Sequence, residues 1–181
     1  LERLAAADAF RSMGLDRRAA LWAVRGQAQD MTLPLFAGLD TLEHGGEAPV
    51  ILPETPLSEH VIQDYQTTRL SLKGHPLSFL RERYATMGVK TTQEAIGLRN
   101  SVRVMVAGVV LVRQKPGTAS GVVFVTLEDE TGVANLVVWP KVMARFRPVV
   151  MGAYLLLVSG RVQTAEGVTH IIVETLIDRT L

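Results

Sequence analysis

The spacing of apolar residues changes once along this chain, from a helical pattern to the alternation typical of β-strands, which begins at Val102. Strand-rich runs then follow at 102–112, 122–128, 133–139, 154–163 and 168–174, with turn residues between them. A short helical pattern at 140–149 separates the third run from the fourth. Strands in this order, with one helix before the fourth, predict an OB-fold barrel.

The part of the chain before the barrel is predicted to be helical. Residues 1–27 show two short helices that meet at Gly14, with Asp16 placed to cap the second, as at the end of a helix-hairpin-helix region. Residues 28–56 are rich in proline and glycine and read as a linker, and 57–100 form a helical connector. The fold class is therefore α+β, an N-terminal helical segment followed by a five-stranded OB-fold β-barrel at 101–181.

Composition narrows the possible functions only slightly. The net charge is +1, so an affinity for nucleic acid has to come from local basic patches. The chain has no cysteine, which excludes disulfides and thiolate metal sites and fits a cytoplasmic location. Its apolar runs are far shorter than the roughly 20 residues of a membrane span. The chain starts at Leu1 already in a helical pattern, which predicts a fragment of a longer protein.

Two aromatic side chains are predicted to lie on the outer face of the barrel. Alternate residues of a small barrel point inward, so Val123, Val125 and Leu127 are expected inside. Phe124 then lies outside, and the same parity places Trp139 and Arg103 outside. OB folds bind single strands by stacking bases on such aromatics while basic residues follow the backbone.

Further basic residues are candidates for contacts with nucleic acid. The predicted loop after the first strand carries Arg113 and Lys115, and the helix after the third carries Lys141, Arg145 and Arg147. Arg17 and Arg18 fall in the first turn of the second helix, where backbone N–H groups can also meet a phosphate.

Each of these signals has a structural alternative. Phe124 and Trp139 would also be outward if they packed against the preceding helical region, and the arginines would also suit solvated helix faces. Leu33, Leu35 and Phe36 form an extended apolar segment similar to the peptides by which bacterial polymerases bind the sliding clamp, although Thr32 stands where glutamine is usual. Packing of this segment against its own chain is the alternative.

Catalytic residues are not expected in this chain. Two-metal phosphoryl transfer needs clustered carboxylates, whereas the densest acidic group, Glu128 to Glu130, falls in a predicted hairpin turn. The histidines lack metal-ligand spacing, and His75 is expected to be structural. No metal or cofactor is predicted for the chain itself.

Several stretches resemble the C-family bacterial DNA polymerases, in particular the error-prone, damage-inducible relatives of the DNA polymerase III alpha subunit. The matching stretches are 7–10 (ADAF), 15–22 (LDRRAALW), 72–77 (LKGHPL) and 121–132 (GVVFVTLEDETG). Residues 135–142 (NLVVWPKV) favour the error-prone branch. The chain is thereby identified as a C-terminal fragment of such an enzyme.

The resemblance implies an enzyme that extends a DNA primer with magnesium ions and tolerates damaged templates, with its catalytic aspartates outside this chain. It implies that this piece holds single-stranded template or primer–template duplex and contacts translesion accessory proteins, with the sliding clamp a further candidate. Two alternatives stay open, a protein-docking OB module with little affinity for DNA and an OB domain of the tRNA-anticodon type.

Overall fold

The computed structural model describes residues 1–27, 50, 52–118, 120–165 and 167–180. It divides the chain into two compact units, Leu1–Lys73 and Gly74–Leu181. The division falls inside the predicted connector at 57–100, so the second half of that connector belongs to the unit that contains the barrel.

The first unit is helical in its described parts. Its elements are α1 (Glu2–Ala6), a 3₁₀ helix (Arg11–Met13), α2 (Arg17–Gln27) and α3 (Leu57–Thr67). Gly14 has a φ of 75°, a left-handed conformation that glycine adopts without a steric penalty, and it turns the chain between the 3₁₀ helix and α2. Asp16 Oδ1 accepts a hydrogen bond from the backbone N–H of Ala19 at 2.6 Å, which confirms the predicted N-cap.

The second unit contains the predicted barrel. Its elements are a 3₁₀ helix (Pro76–Leu80), α4 (Arg81–Thr86), α5 (Thr92–Ile96), β1 (Arg103–Gln114), β2 (Val123–Asp129), β3 (Gly132–Val138), α6 (Pro140–Gly152), β4 (Leu155–Ala165) and β5 (Val168–Asp178). The strands close in the order β1-β2-β3-β5-β4, with β3 and β5 parallel. This arrangement confirms the OB-fold prediction.

The barrel interior follows the predicted parity. Val123, Val125 and Leu127 are buried on β2, and the burial along this strand alternates throughout. Ala95 of α5 and Met143 of α6 belong to the same apolar core, so both helices contribute to filling the barrel.

A glycine allows two strands to approach closely. A Cβ atom at Gly160 on β4 would meet the carbonyl oxygen of Ile172 and lie 2.9 Å from the side chain of Ile171. The register between β4 and β5 also shifts at this point, between Ser159 and Gly160. Gly160 therefore permits the bulge that sets the register of the following residues on β4.

The helices at 76–86 cover part of the outer surface of the barrel. Leu77, Tyr84 and Val89 form a second apolar cluster with Ala107 of β1 and Leu157 of β4. His75 caps the 3₁₀ helix, with its Nδ1 accepting a hydrogen bond from the N–H of Leu77 at 3.2 Å, which confirms a structural role. These helices therefore cover the outer surface of β1 and β4 around Ala107 and Leu157.

Candidate nucleic-acid interface

Phe124 faces outward on β2, and Trp139 directly follows the end of β3, where it is the N-cap of α6. Phe124 pairs with Val137 across β2 and β3, and Trp139 follows Val137 by two residues on the chain. This diagonal relation brings long side chains within reach of each other. Trp139 is 50% exposed and Phe124 is partly buried. Phe124 is therefore an outward, partly buried residue of β2, and Trp139 is an exposed aromatic residue directly after β3.

The strand register continues from Phe124 around the barrel. Val137 pairs with Ile172 on β5, Ile172 with Arg161 on β4, and Arg161 with Arg103 on β1. We call these five outward positions, Phe124 to Arg103, the outer row. Val137 is only 8% exposed, although it is an outward residue by parity. The row thus has an aromatic end at β2 and a basic end at β4 and β1.

The basic end is built around one glutamate. Glu174 accepts from Arg161 Nε at 3.0 Å and pairs with Arg103 Nη2 at 2.9 Å. Arg161 also donates to the carbonyl of Ser101 at 3.0 Å. Both guanidinium groups are more than half exposed, so two cations share one carboxylate and the cluster keeps a net positive charge.

Sequence reasoning identified Arg103 and missed Arg161. The signal was available, because Val158 and Val162 are inward-facing valines of the fourth strand and the same parity places Arg161 outside. A cleft of ≈ 350 Å³ lies beside this arginine, and its lining includes Ile172, Gln163 and Asn100. The basic end of the outer row therefore borders a concave surface.

The loop between β1 and β2 and the start of α6 lie next to each other. A Cβ atom at Gly121 would be 3.6 Å from the ring of Pro140, the first residue of α6 after Trp139. Lys115 and Lys141 are both exposed and have no ion pair among the described residues. Lys141 thus follows Trp139 by two residues, and Lys115 lies on the same β1–β2 connection as Gly121.

The remaining basic residues of α6 are also exposed. Arg145 stacks on the ring of Phe146 at 5.0 Å, and Phe146 packs against the core, while Arg147 is solvent-facing. Phe146 leaves helical geometry two residues before Pro148, whose ring cannot continue the hydrogen-bond ladder of the helix.

The structure revises the prediction for Arg113. Its Nε donates to the carbonyl of Val150 at 2.6 Å, and its Nη2 donates to the carbonyl of Ala153. These carbonyls lie at the C-terminal end of α6, where the last turn of a helix leaves its acceptors unpaired. Arg113 therefore caps a helix, and two of its three guanidinium nitrogens are engaged in these hydrogen bonds.

Arg17 also has a structural role. It is 3% exposed, forms an ion pair with Asp64, and donates to the carbonyl of His60 at 3.1 Å and to Gln63 Oε1 at 2.8 Å. Burial alone would raise the pKa of Asp64, but hydrogen bonds from Ser71 and Arg17 hold this pKa below its ordinary value. Arg17 thus links α2 to α3 and is not presented to a phosphate.

Arg18 keeps part of its exposure. Its Nη1 donates to the carbonyl of Pro53 at 2.8 Å, and its side chain is 35% exposed beside Glu59. Leu33, Leu35 and Phe36 lie outside the described residues, so the clamp-like segment stays a prediction. The helix-hairpin-helix assignment also stays a prediction.

The described part of the chain contains no group of three or more His, Asp or Glu side chains that could hold a metal ion. Within the same residues, no helix is long and apolar enough to cross a membrane.

The chain matches one family model and a set of known proteins. Residues 104–178 match the tRNA anti-codon model, which is described as an OB-fold nucleic acid binding domain. The chain is 59% identical over 179 residues to an error-prone DNA polymerase of Rhodopseudomonas palustris strain HaA2, and 60% identical over 178 residues to one of Bradyrhizobium sp. strain ORS 278. Each match covers 98% of this chain, which spans 15% of the length of those relatives.

Solved structures resemble parts of the chain more distantly. Asparaginyl-tRNA synthetase from Pyrococcus horikoshii has a TM-score of 0.44 and 23% identity, covering 51% of this chain and 23% of its own. A small single-stranded DNA binding protein from Mycoplasma pneumoniae has a TM-score of 0.38 and 11% identity, covering 45% of this chain and 96% of its own. Similarities at these TM-scores carry no argument about function.

Proposed function

Because this chain belongs to the error-prone DNA polymerases and spans one segment of them, we propose that it binds single-stranded DNA on the outer face of its barrel. In the whole enzyme this segment would hold the template strand near the polymerase active site. The observation that carries the proposal is the outer row, which joins the aromatic end at Phe124 to the basic end at Arg161 and Arg103.

The two ends of the outer row suit the two parts of a nucleotide. Phe124 and Trp139 offer aromatic faces for bases, and stacking contributes about 1–3 kcal/mol per base without depending strongly on base identity. Arg161 and Arg103 offer guanidinium groups to the phosphates. A single carboxylate, that of Glu174, neutralises the positive charge of these two arginines only in part. Lys115 and Lys141 would extend the positive charge beside Trp139.

The activity of the whole polymerase is part of the same proposal. Primer extension with magnesium, synthesis across damaged templates and contacts with accessory proteins are what the family resemblance implies, and a cytoplasmic location fits the absence of cysteine. The described residues of this segment do not fit the magnesium pair, since they contain no cluster of carboxylates for it. We assign the segment no chemical step.

The proposal can be tested by fluorescence anisotropy with labelled single-stranded DNA, comparing Phe124→Ala and Trp139→Ala with the wild-type chain. Loss of one stacked base predicts that each variant binds about 5- to 100-fold more weakly. Tyr154→Ala is the matched control, because Tyr154 is 60% exposed directly before β4 and lies outside the outer row, and this variant should bind as the wild type does.

A second series tests the basic end. Arg161→Gln and Arg103→Gln should each reduce the slope of log affinity against log salt by roughly one, as expected for the loss of one phosphate contact. Absence of binding at micromolar protein, or equal effects of Phe124→Ala and Tyr154→Ala, would favour the protein-docking module. Tighter binding of RNA than of DNA would favour the tRNA-anticodon type.

A further inference from the structure

A second row of outward residues runs beside the outer row, two residues later on β2 and β4 and two residues earlier on β3 and β5. Thr126 on β2 pairs with Asn135 on β3, Asn135 with His170 on β5, and His170 with Gln163 on β4. We call Thr126, Asn135, His170 and Gln163 the polar row. Each of these side chains can donate or accept hydrogen bonds, whereas Phe124, Val137 and Ile172 in the neighbouring row cannot.

The hydrogen bonds within the polar row leave donors and acceptors unused. Thr126 Oγ1 donates to Asn135 Oδ1 at 3.2 Å, which orients the amide and leaves its NH₂ group without a partner among the described residues. His170 Nδ1 is buried and likewise has no partner in the described part of the chain. The free Nδ1 of His170 is the unusual one, since buried polar atoms are nearly always hydrogen-bonded.

The polar row also reaches the cleft. Gln163 contributes to the lining of the cleft of ≈ 350 Å³, together with Ile172 and Arg161 of the outer row. A base stacked along the outer row would therefore direct its edge toward amide and imidazole groups, in a partly enclosed surface. Concave surfaces with a few converging polar groups are where ligand orientation is determined.

We propose that the polar row reads the edges of bases, so that this barrel binds single-stranded DNA with a preference among the four bases. The inference rests on the proposed function and extends it. Stacking and phosphate contacts tolerate any base, whereas hydrogen bonds to base edges distinguish one from another. Amide side chains are suited to this task because they present one donor group and one acceptor side by side.

The experiment measures the affinity of the full chain for a labelled oligothymidylate and for three versions of it in which a central run is replaced by dA, dC or dG. The tightest and weakest oligonucleotides should differ by roughly tenfold in the wild type, as one well-placed edge contact allows. In Asn135→Leu and Gln163→Leu, which remove the polar groups at similar volume, the difference should shrink to about twofold or less.

Two controls separate this inference from the proposed function. Gln93→Leu makes the same chemical change on α5, away from the row, and should keep the wild-type preference. Phe124→Ala should weaken binding of all four oligonucleotides by a similar factor and keep their ratios.

Equal affinity of the wild type for all four oligonucleotides would overturn the base preference and leave the proposed DNA binding intact. A preference that survives both Asn135→Leu and Gln163→Leu would overturn the assignment to the polar row. Absence of binding to every oligonucleotide would overturn the proposed function and this inference together.

Discussion

Asp129, at the end of β2, accepts hydrogen bonds with both of its carboxylate oxygens. Its Oδ1 accepts from the N–H and hydroxyl of Thr131, the hydroxyl of Thr92 and the N–H of Gly132. Its Oδ2 accepts from the N–H of Thr92 at 2.8 Å and from Arg81 at 3.0 Å. One carboxylate therefore holds the β2–β3 turn, α5 and α4 together.

These hydrogen bonds also determine how Asp129 responds to acid. Burial alone would raise its pKa, but the hydrogen bonds from Thr131 and Thr92 outweigh burial and hold the pKa below its ordinary value. A carboxyl whose pKa is lower in the folded state stabilises the fold above its unfolded pKa, near 3.9. That contribution is lost as the pH falls through the lower, folded-state value.

Asp129→Asn should lower the free energy of unfolding at pH 7 by roughly 2–4 kcal/mol, because one oxygen acceptor becomes a donor facing donors and Arg81 loses one of its two carboxylate partners while keeping Glu130. The measurement is urea unfolding between pH 7 and pH 3. The wild type should lose stability more steeply than the variant below about pH 4. Parallel curves for the two proteins would contradict the role given to Asp129.

The sequence predicted the local contacts of Asp129 in the turn but not its long-range contacts. Glu128 to Glu130 was interpreted as turn chemistry, and the contacts with Thr131 and Gly132 confirm that local part. The contacts with Thr92 and Arg81 span 37 and 48 residues, and no local spacing indicates them.

Among the elements, α6 shows how a tertiary contact changes the interpretation of a charged residue. The helix begins after the N-cap Trp139 with Pro140 in its first turn, at the start of the helical pattern that the sequence predicted over 140–149. Its other end is completed by Arg113 from β1, through the carbonyls of Val150 and Ala153. Arg113 thus stabilises the barrel by joining β1 to the end of α6.

Arg113→Ala should lower the free energy of unfolding by roughly 1–3 kcal/mol, because it leaves partly buried carbonyls without donors. It should leave the salt dependence of DNA binding unchanged. Lys115→Ala, two residues away and exposed, is the matched control. Its stability should stay within about 0.5 kcal/mol of the wild type, and its salt slope should fall by about one.

Chemical denaturation and anisotropy titrations of both variants would check this pair. A change in salt slope without a change in stability for Arg113→Ala would restore the sequence-based assignment of Arg113 to the DNA interface.

For the whole molecule, the position of the domain boundary is a structural result. The sequence placed the barrel domain at 101–181, whereas the structure joins everything from Gly74 onward into one unit. Tyr84 and Leu77 cover Ala107 and Leu157, so the helices at 76–86 complete an apolar cluster on the outside of the barrel.

A chain cut to begin at Gly74 should therefore fold as a stable unit, and one cut to begin at Ser101 should not reach the same stability. The shorter chain exposes the apolar cluster and removes Arg81 and Thr92 from Asp129, which together should cost at least about 3 kcal/mol. Urea unfolding can be followed by the fluorescence of Trp139, since the chain's other tryptophan, Trp22, lies outside both truncated chains. Equal unfolding midpoints would show that the boundary at 101 is adequate.

The sequence by itself determined the features that repeat over a few residues. Strand alternation identified the OB barrel and the inward residues Val123, Val125 and Leu127 of β2, and Asp16 marked the start of α2. These predictions succeed because periodicity and capping depend on neighbours along the chain.

Only the tertiary structure decided which charged residues are paired inside the fold and which remain available to a ligand. Arg17 forms an ion pair with Asp64, and Arg113 donates to a carbonyl at the end of α6. Arg161 and Arg103, in contrast, stay exposed beside Glu174. A long charged side chain pairs with whatever the fold brings near it, and the partners of Arg17 and Arg113 lie 47 and 37 residues away along the chain. The sequence contains these residues, but their partners exist only once the strands and helices have packed.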